Sequence, residues 1–276
     1  MKPPARGLLF CRNTRLNAKP IAVFDSGLGG LTVLQALRAR LPHEDFLYFA
    51  DTRFLPYGEK PEAFLRERGV RIAERLAERG CKALVVACNT ATAAAAEAIR
   101  AAIDLPIVAL EPGVKPAIAL TQSRVIGVLA TTRTLQSERF RRLVDAHGQG
   151  VQVIAQPCPG LADAIEEAGP ESATVAALLD AYVTPLRAAQ ADVVVLGCTH
   201  YPWVAAAIAA RMPAGTRLLD TGEAVARQLE RLLSGAGLHG QGGGRVSIAT
   251  SGAPQQVAAT VDRLLGQRMQ VEHWEP

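Results

Sequence analysis

Short, unbroken apolar runs alternate with longer helical patterns along most of this 276-residue chain. The runs at 83–87 and 193–196 contain five and four apolar residues without alternation, which is typical of strands that a parallel sheet buries on both faces. Alanine-rich helical patterns follow both runs. This alternation predicts a doubly wound α/β fold with mainly parallel sheets. We predict strands at about residues 20–25, 45–50, 83–88, 105–110, 125–130, 150–155, 192–198, 216–220 and 245–250.

Two matching pairs of segments indicate that the chain contains two related halves. The run that begins at Ile21 has a counterpart 105 residues later at Ile126, and Cys88 and Cys198 end matching runs 110 residues apart. We therefore expect two related α/β domains that face each other about a pseudo-two-fold axis, with the functional site in the cleft between them. Turn sequences predict a first domain of residues 20–112 plus 222–276 and a second domain of residues 113–221.

Charge and hydropathy argue against nucleic acids and membranes as partners. The formal net charge is +4, but residues 1–19 carry five basic residues and no acidic one, which leaves about −1 for the rest. We expect this segment to be an unstructured basic extension. The rest of the chain shows no basic stripe of the kind that would predict nucleic-acid binding. No apolar stretch approaches the roughly 20 residues of a membrane-spanning helix, so no membrane association is expected.

Cysteine and lysine usage narrows the chemistry. The five cysteines are odd in number and form no C-x-x-C pair, which argues against a disulfide framework or a zinc ribbon and favours a reducing, cytoplasmic location. Only five lysines are present, so a pyridoxal phosphate site with its Schiff-base lysine is not expected. The glycine-rich turn after Asp25 lacks the G-x-G-x-x-G spacing of a dinucleotide site. We expect no cofactor and no metal.

Cys88 and Cys198 are the candidate reactive groups. Both are expected at the carboxyl ends of strands, where α/β sheets bind their ligands, and each precedes a predicted helix. The positive end of that helix is expected to lower the thiol pKa from about 8.5 toward neutrality. Two thiols on opposite faces of one substrate carbon suggest inversion of its configuration. His200 lies two residues after Cys198, so in an extended segment both side chains would meet the same ligand.

The turn from Asp25 to Gly30 follows the first predicted strand and opens a helix. Its glycines permit a nest of backbone N–H groups that can hold a carboxylate. The alternative is a glycine-rich turn in which Asp25 or Ser26 only caps the helix.

These motifs, in this order, resemble those of the glutamate racemases, cofactor-independent enzymes that interconvert L- and D-glutamate for peptidoglycan synthesis. The stretch from Asp25 to Val33 is similar to the family's first motif. Ala50-Asp51-Thr52 and Pro56-Tyr57-Gly58 are similar to its second. Cys88-Asn89-Thr90-Ala91 and Gly197-Cys198-Thr199-His200-Tyr201-Pro202 match its two catalytic motifs. The resemblance extends from residue 20 to about residue 230.

The resemblance implies a role for each matching residue. Cys88 and Cys198 would be the acid/base thiols, one removing the α-proton while the other returns a proton to the opposite face. Asp25 and His200 would assist them. Glu166 is similar to the family's auxiliary glutamate, although Glu167 could serve instead. A homodimer and the small-molecule substrate glutamate are also implied. Glutamate would be bound by Asp25, Ser26, Tyr57, Gly58, Asn89, Thr90, Thr199 and His200.

Two other interpretations stay open. Aspartate racemase, hydantoin racemase and maleate isomerase share the plan of paired cysteines, although the motifs at Pro56–Gly58 and Cys198–Pro202 favour glutamate. A non-enzymatic amino-acid-binding protein would also have a cleft between two domains. That interpretation gives no reason for two thiols at strand ends.

Overall fold

The computed structural model describes residues 17–240 and 242–276. Residues 1–16, most of the predicted basic extension, lie outside the described residues. Among the remainder, Asn17 accepts a hydrogen bond from Lys82 Nζ through its carbonyl oxygen (2.8 Å). The described strands are β1 (Ile21–Asp25), β2 (Phe46–Ala50), β3 (Ala83–Val86), β4 (Ile107–Ala109), β5 (Val125–Ala130), β6 (Gln152–Pro157), β7 (Val193–Leu196), β8 (Arg217–Leu219), β9 (Val246–Thr250) and β10 (Val271–His273).

Helices follow most of these strands. The described α-helices are α1 (Leu31–Arg40), α2 (Glu62–Glu78), α3 (Asn89–Ala102), α4 (Val114–Leu120), α5 (Thr132–Gln136), α6 (Glu138–His147), α7 (Leu161–Ala168), α8 (Ala173–Ala188), α9 (Ala205–Ala209), α10 (Gly222–Ala236) and α11 (Pro254–Leu265). Short 3₁₀ turns form at Thr52–Phe54, Tyr57–Glu59 and Tyr201–Val204.

The strands form two parallel sheets with the same central order. The first sheet has the order β10-β9-β2-β1-β3-β4 and the second β6-β5-β7-β8. The order β2-β1-β3-β4 of the first therefore recurs as β6-β5-β7-β8 in the second, which confirms the two related halves. All nine predicted strands are present, and β10 is an additional edge strand. The first sheet takes its strands from residues 21–109 and 246–273, and the second from 125–219, while the exact domain boundaries stay a prediction.

Helices cover both faces of each sheet, and this explains the unbroken apolar runs. In β1, Ile21 and Val23 join one apolar cluster with side chains of α1, while Ala22 and Phe24 join another with side chains of α2 and α3. The first of these clusters also contains Leu196 of β7, so the two halves share part of their core. In the described part of the chain, no helix has both the length and the apolar character needed to cross a bilayer.

Candidate active site

A cavity between the two sheets lies at the carboxyl ends of β1, β3, β5 and β7. Its wall contains ten of the eleven residues predicted from the sequence, and Asp25 is the exception. The ten are Ser26, Tyr57, Gly58, Cys88, Asn89, Thr90, Glu166, Cys198, Thr199 and His200. A more open surface groove between α2, α3 and α6 contains none of them, and three of its arginines pair with glutamates. The cavity at the strand ends is therefore the candidate active site.

Cys88 follows β3 and caps the N-terminus of α3. Its Sγ accepts a hydrogen bond from the backbone N–H of Ala91 (3.4 Å) and lies 3.4 Å from Ser26 Oγ. Burial and the negative charge of Asp25 nevertheless raise the pKa of Cys88 to about 12, against the opposing hydrogen bonds of Ser26 and Ala91. The predicted lowering of this pKa is wrong, because desolvation of the thiolate outweighs the helix end.

Cys198 lies two residues after β7, as Cys88 does after β3. A 3₁₀ turn and the five-residue α9 follow it instead of one long helix. The predicted extended segment is also wrong, since His200 has right-handed helical backbone angles. The turn still brings His200 Nδ1 to 3.6 Å from Cys198 Sγ, and both residues line the cavity. That they meet the same ligand stays a prediction.

Buried His200 pairs with the half-buried Glu166 at the cavity wall. The distance from His200 Nε2 to Glu166 Oε1 is 2.6 Å. Burial lowers the pKa of His200, but the hydrogen bonds with Cys198 and Glu166 outweigh it and raise that pKa well above 6.5. Burial raises the pKa of Glu166, yet His200 holds it below its ordinary value of 4.5. These two shifts favour an imidazolium paired with a carboxylate. Glu167, the alternative to Glu166, is exposed on α7.

Asp25 is completely buried behind the cavity wall. Its carboxylate accepts hydrogen bonds from the backbone N–H groups of Ser26 (2.8 Å) and Gly30, and from Thr199 Oγ1 (3.4 Å). Desolvation raises its pKa. Asp25 reaches Cys88 only through Ser26, whose Oγ lies 3.4 Å from both the carboxylate and the thiol sulfur.

The glycine-rich turn holds carboxylates, but they belong to the protein. Glu166 Oε1 accepts a hydrogen bond from the backbone N–H of Leu28 (2.6 Å), and Asp25 accepts those of Ser26 and Gly30. These three donors are not free for a substrate, contrary to the sequence expectation. A side chain at Gly27 would overlap Glu166, which explains the need for glycine there.

The other predicted binding residues differ in what they offer to a ligand. Asn89 Oδ1 is buried and has no hydrogen-bond partner among the described residues. Thr90 Oγ1 lies 3.0 Å from the Oγ1 of Thr131, the residue that follows β5 of the second sheet. The hydroxyl of Tyr57 donates to Asp51 Oδ2 (2.5 Å) and is therefore already engaged. Gly58 lies in the same 3₁₀ turn as Tyr57.

Sequence reasoning missed several residues of the wall, among them Thr131, Thr132 and Cys158. A signal for Thr131 was present in the repeat, since it follows β5 at the position that Ser26 occupies after β1. Cys158 had no such signal. Burial raises its pKa to about 12, and its Sγ donates to the carbonyl oxygen of Gln156 (3.4 Å).

Known proteins resemble this chain over most of its length. Residues 32–229 match the family model Asp/Glu/Hydantoin racemase. A glutamate racemase of Stutzerimonas stutzeri is 48% identical over 256 residues, which cover 92% of this chain and 97% of that protein. The crystal structure of a Bacillus anthracis glutamate racemase superposes with a TM-score of 0.85 at 29% identity, covering 94% of this chain and 98% of that one.

The Escherichia coli glutamate racemase, solved in complex with L-glutamate, gives a TM-score of 0.81 at 31% identity and covers 92% of this chain and 97% of its own. The matched family model covers well over half of the present chain, and its range includes both candidate cysteines. The chain therefore belongs to the Asp/Glu/hydantoin racemase family.

Proposed function

We propose that this chain interconverts L- and D-glutamate by transferring protons between the α-carbon and two thiols, Cys88 and Cys198, without a cofactor. Its product D-glutamate would serve peptidoglycan synthesis. The observation that carries the proposal is that two cysteines at equivalent positions of two repeated halves contribute to one cavity wall. A single cysteine in such a cavity would have an ordinary packing role.

The proposed reaction balances with the two sulfur atoms alone. One sulfur, as a thiolate, takes the α-proton and becomes a thiol, and the bonding electrons stay on the α-carbon. The other thiol then gives its proton to the opposite face and becomes a thiolate. The two sulfur atoms have exchanged protonation states, so the same site is ready for the reverse reaction.

The surroundings of the two thiols suggest how they differ before reaction. A pKa of about 12 makes Cys88 the thiol. Cys198 lies beside the His200 imidazolium, which can donate to its sulfur through Nδ1 while Nε2 donates to Glu166. We therefore propose that His200, held by Glu166, donates to the sulfur of Cys198 whenever that sulfur carries the negative charge of a proton transfer.

Stabilisation of the carbanion has to come from fixed polar groups, because no electron sink is proposed. Ser26, Thr90 and Thr199 place hydroxyl groups in the cavity wall, and these are the proposed donors to a substrate carboxylate. The hydroxyls of Ser26 and Thr199, each 3.4 Å from Asp25, would turn from that carboxylate toward the substrate. Asn89 Oδ1, which has no hydrogen-bond partner in the described part of the chain, is an acceptor suited to the α-ammonium group.

Glutamate is favoured over the other substrates of the family. The support is the 48% identity to a glutamate racemase across 92% of this chain, together with the likeness to an enzyme solved with L-glutamate. We further propose a homodimer and a cytoplasmic location. The second is supported by four unpaired cysteines among the described residues, Cys81, Cys88, Cys158 and Cys198.

Racemisation assays of cysteine variants test the proposal. Cys88→Ala and Cys198→Ala should each lose racemisation of both enantiomers, since either direction needs both thiols, while their circular dichroism stays that of the folded protein. Cys81→Ala is the matched control, because Cys81 is equally buried but lies in the core outside the cavity. Full activity in either active-site variant would exclude the two-thiol mechanism. A wild-type protein that racemises aspartate faster than glutamate would overturn the substrate assignment.

A further inference from the structure

We infer that Asp51 and Arg68 are positioning residues for glutamate binding, because they fix Tyr57 and the adjoining turn in the cavity wall and tie that wall to residues 274–276. This inference rests on the proposed glutamate racemisation and adds a determinant of substrate binding that touches neither thiol. Four observations carry it.

The first observation is the state of the Tyr57 hydroxyl. Tyr57 lies in the cavity wall but is only 2% exposed. Its hydroxyl donates to Asp51 Oδ2 (2.5 Å), so the proton is directed away from any ligand. Tyr57 therefore contributes a fixed surface instead of a free donor. The 3₁₀ turn Tyr57–Glu59, which contains Gly58, begins at this residue.

The second observation is the acceptor itself. Asp51 is completely buried, and its carboxylate accepts three hydrogen bonds, one from Tyr57 and two from Arg68. Arg68 donates through Nε to Oδ2 (2.9 Å) and through Nη2 to Oδ1 (2.7 Å). Two parallel bonds from a planar guanidinium fix the plane of the carboxylate as well as its distance. The orientation of Asp51 then dictates where the Tyr57 hydroxyl can lie.

The third observation is that Arg68 is itself held on several sides. It projects from α2, where its side chain is 7% exposed. Its guanidinium carbon lies 4.5 Å from the centre of the Phe54 ring, in the segment that leads to Tyr57. Nη1 donates to the carbonyl oxygen of Pro276 (3.3 Å) and Nη2 to Glu275 Oε1 (3.2 Å). Glu275 and Pro276 thus hold the guanidinium in addition to Asp51.

The fourth observation concerns the adjacent packing. Trp274 packs edge-on against Phe49 of β2 at 5.0 Å, and Phe24 of β1 packs edge-on against Tyr57 at 6.5 Å. A buried ion pair adds little net stability compared with apolar residues of the same shape, so its value lies in fixing one geometry. Here the ion pair fixes the position of Tyr57 in the cavity wall.

The position of this network predicts which kinetic constant changes. Neither Asp51 nor Arg68 makes a hydrogen bond to either active-site sulfur. Loosening the wall should weaken the binding of the substrate and of the transition state equally. Such a change raises KM and leaves kcat nearly unchanged. We expect Asp51→Asn to raise KM for both glutamate enantiomers by about tenfold, with kcat within about threefold of wild type.

Three comparisons separate positioning from simple destabilisation. Arg68→Lys keeps the charge but loses the fork, and Glu275→Gln removes only the outer partner, so KM should rise in the order Glu275→Gln, Arg68→Lys, Asp51→Asn. Arg75→Met is the control, since Arg75 lies on the same helix in an exposed pair with Glu78. In a Tyr57→Phe background, Asp51→Asn should raise KM by much less than it does in the wild type, because its effect passes through the hydroxyl.

The outcomes are distinguishable. Inactive wild-type protein contradicts the proposed function and not the network. The inference is overturned if the wild type is active while Asp51→Asn keeps the wild-type KM and loses activity only in proportion to its folded fraction. The inference is also overturned if the effects of Tyr57→Phe and Asp51→Asn on KM simply multiply in the double variant. Should Asp51→Asn fail to fold, Arg68→Lys and Glu275→Gln decide: graded KM values support the inference, and wild-type KM values refute it.

Discussion

Replacing Glu166 by glutamine isolates the charge that holds His200 beside Cys198. Glu166 Oε1 accepts from His200 Nε2 and from the backbone N–H of Leu28, both at 2.6 Å. Glutamine has nearly the same shape and can still accept from Leu28. It cannot pair with an imidazolium as a carboxylate does. We expect a lower racemisation rate without loss of the fold.

The magnitude follows from the kind of hydrogen bond that changes. A hydrogen bond to a charged group contributes about 1.5–3 kcal/mol, and a neutral one about 0.5–1.5 kcal/mol. The substitution therefore costs about 1–2 kcal/mol in support of the imidazolium. At about 1.36 kcal/mol per factor of ten, kcat/KM should fall roughly 5- to 30-fold. Glu166→Ala should lose more, since it also leaves the Leu28 N–H without an acceptor.

Initial rates from both enantiomers, followed by optical rotation, give the test. L- and D-glutamate have equal free energies, so kcat/KM has to fall by the same factor in both directions. Glu167→Gln is the control, because it changes the same charge at the next residue on an exposed side chain. Wild-type kcat/KM in Glu166→Gln, or an equal loss in Glu167→Gln, would refute the role of the Glu166–His200 pair.

Three further predictions concern the active site and the stability of the fold. Gly29→Ala should lower kcat/KM by about two orders of magnitude, because the added methyl group would overlap the His200 imidazole. In α10, the methyl group added by Gly235→Ala meets open space. This substitution should therefore raise the free energy of unfolding, measured by urea titration, by about 0.5–1 kcal/mol. The raised pKa of His200 means that folding favours its protonated form, so its contribution to stability is fully present below its unfolded pKa of 6.5 and is lost as pH rises through the folded value. The difference in unfolding free energy between wild type and His200→Asn should therefore shrink as pH rises above 6.5, and a difference that grows would contradict the pairing.

The sequence was sufficient for the strands because buried parallel strands leave an unambiguous pattern. β3 and β7 are uniformly apolar and fully buried, and both were predicted. β10 consists of Val271, Glu272 and His273 at a sheet edge, and its two exposed polar residues give no such pattern. This strand matters because it positions the segment Trp274–Pro276, which packs against the first sheet and Arg68.

The identities of the site residues were also accessible, but their electrostatics were not. The expected effect of the helix N-terminus on Cys88 exists as the hydrogen bond from Ala91, yet burial of the thiol dominates. Burial depends on the packing of both halves, which local sequence does not encode. The same holds for Leu28 and Glu166, which are 138 residues apart and meet only in the folded protein.

The most direct test of the two-thiol account is the fate of the α-hydrogen during early turnover of L-glutamate in D₂O. If one sulfur removes the proton and the other supplies a solvent-equilibrated deuteron from the opposite face, the first D-glutamate formed carries deuterium at the α-carbon. The remaining L-glutamate then stays protiated. Mass spectrometry of the separated enantiomers shows this directly. D-Glutamate that retains the original α-proton, or deuterium that enters L-glutamate as fast as product forms, would contradict the account.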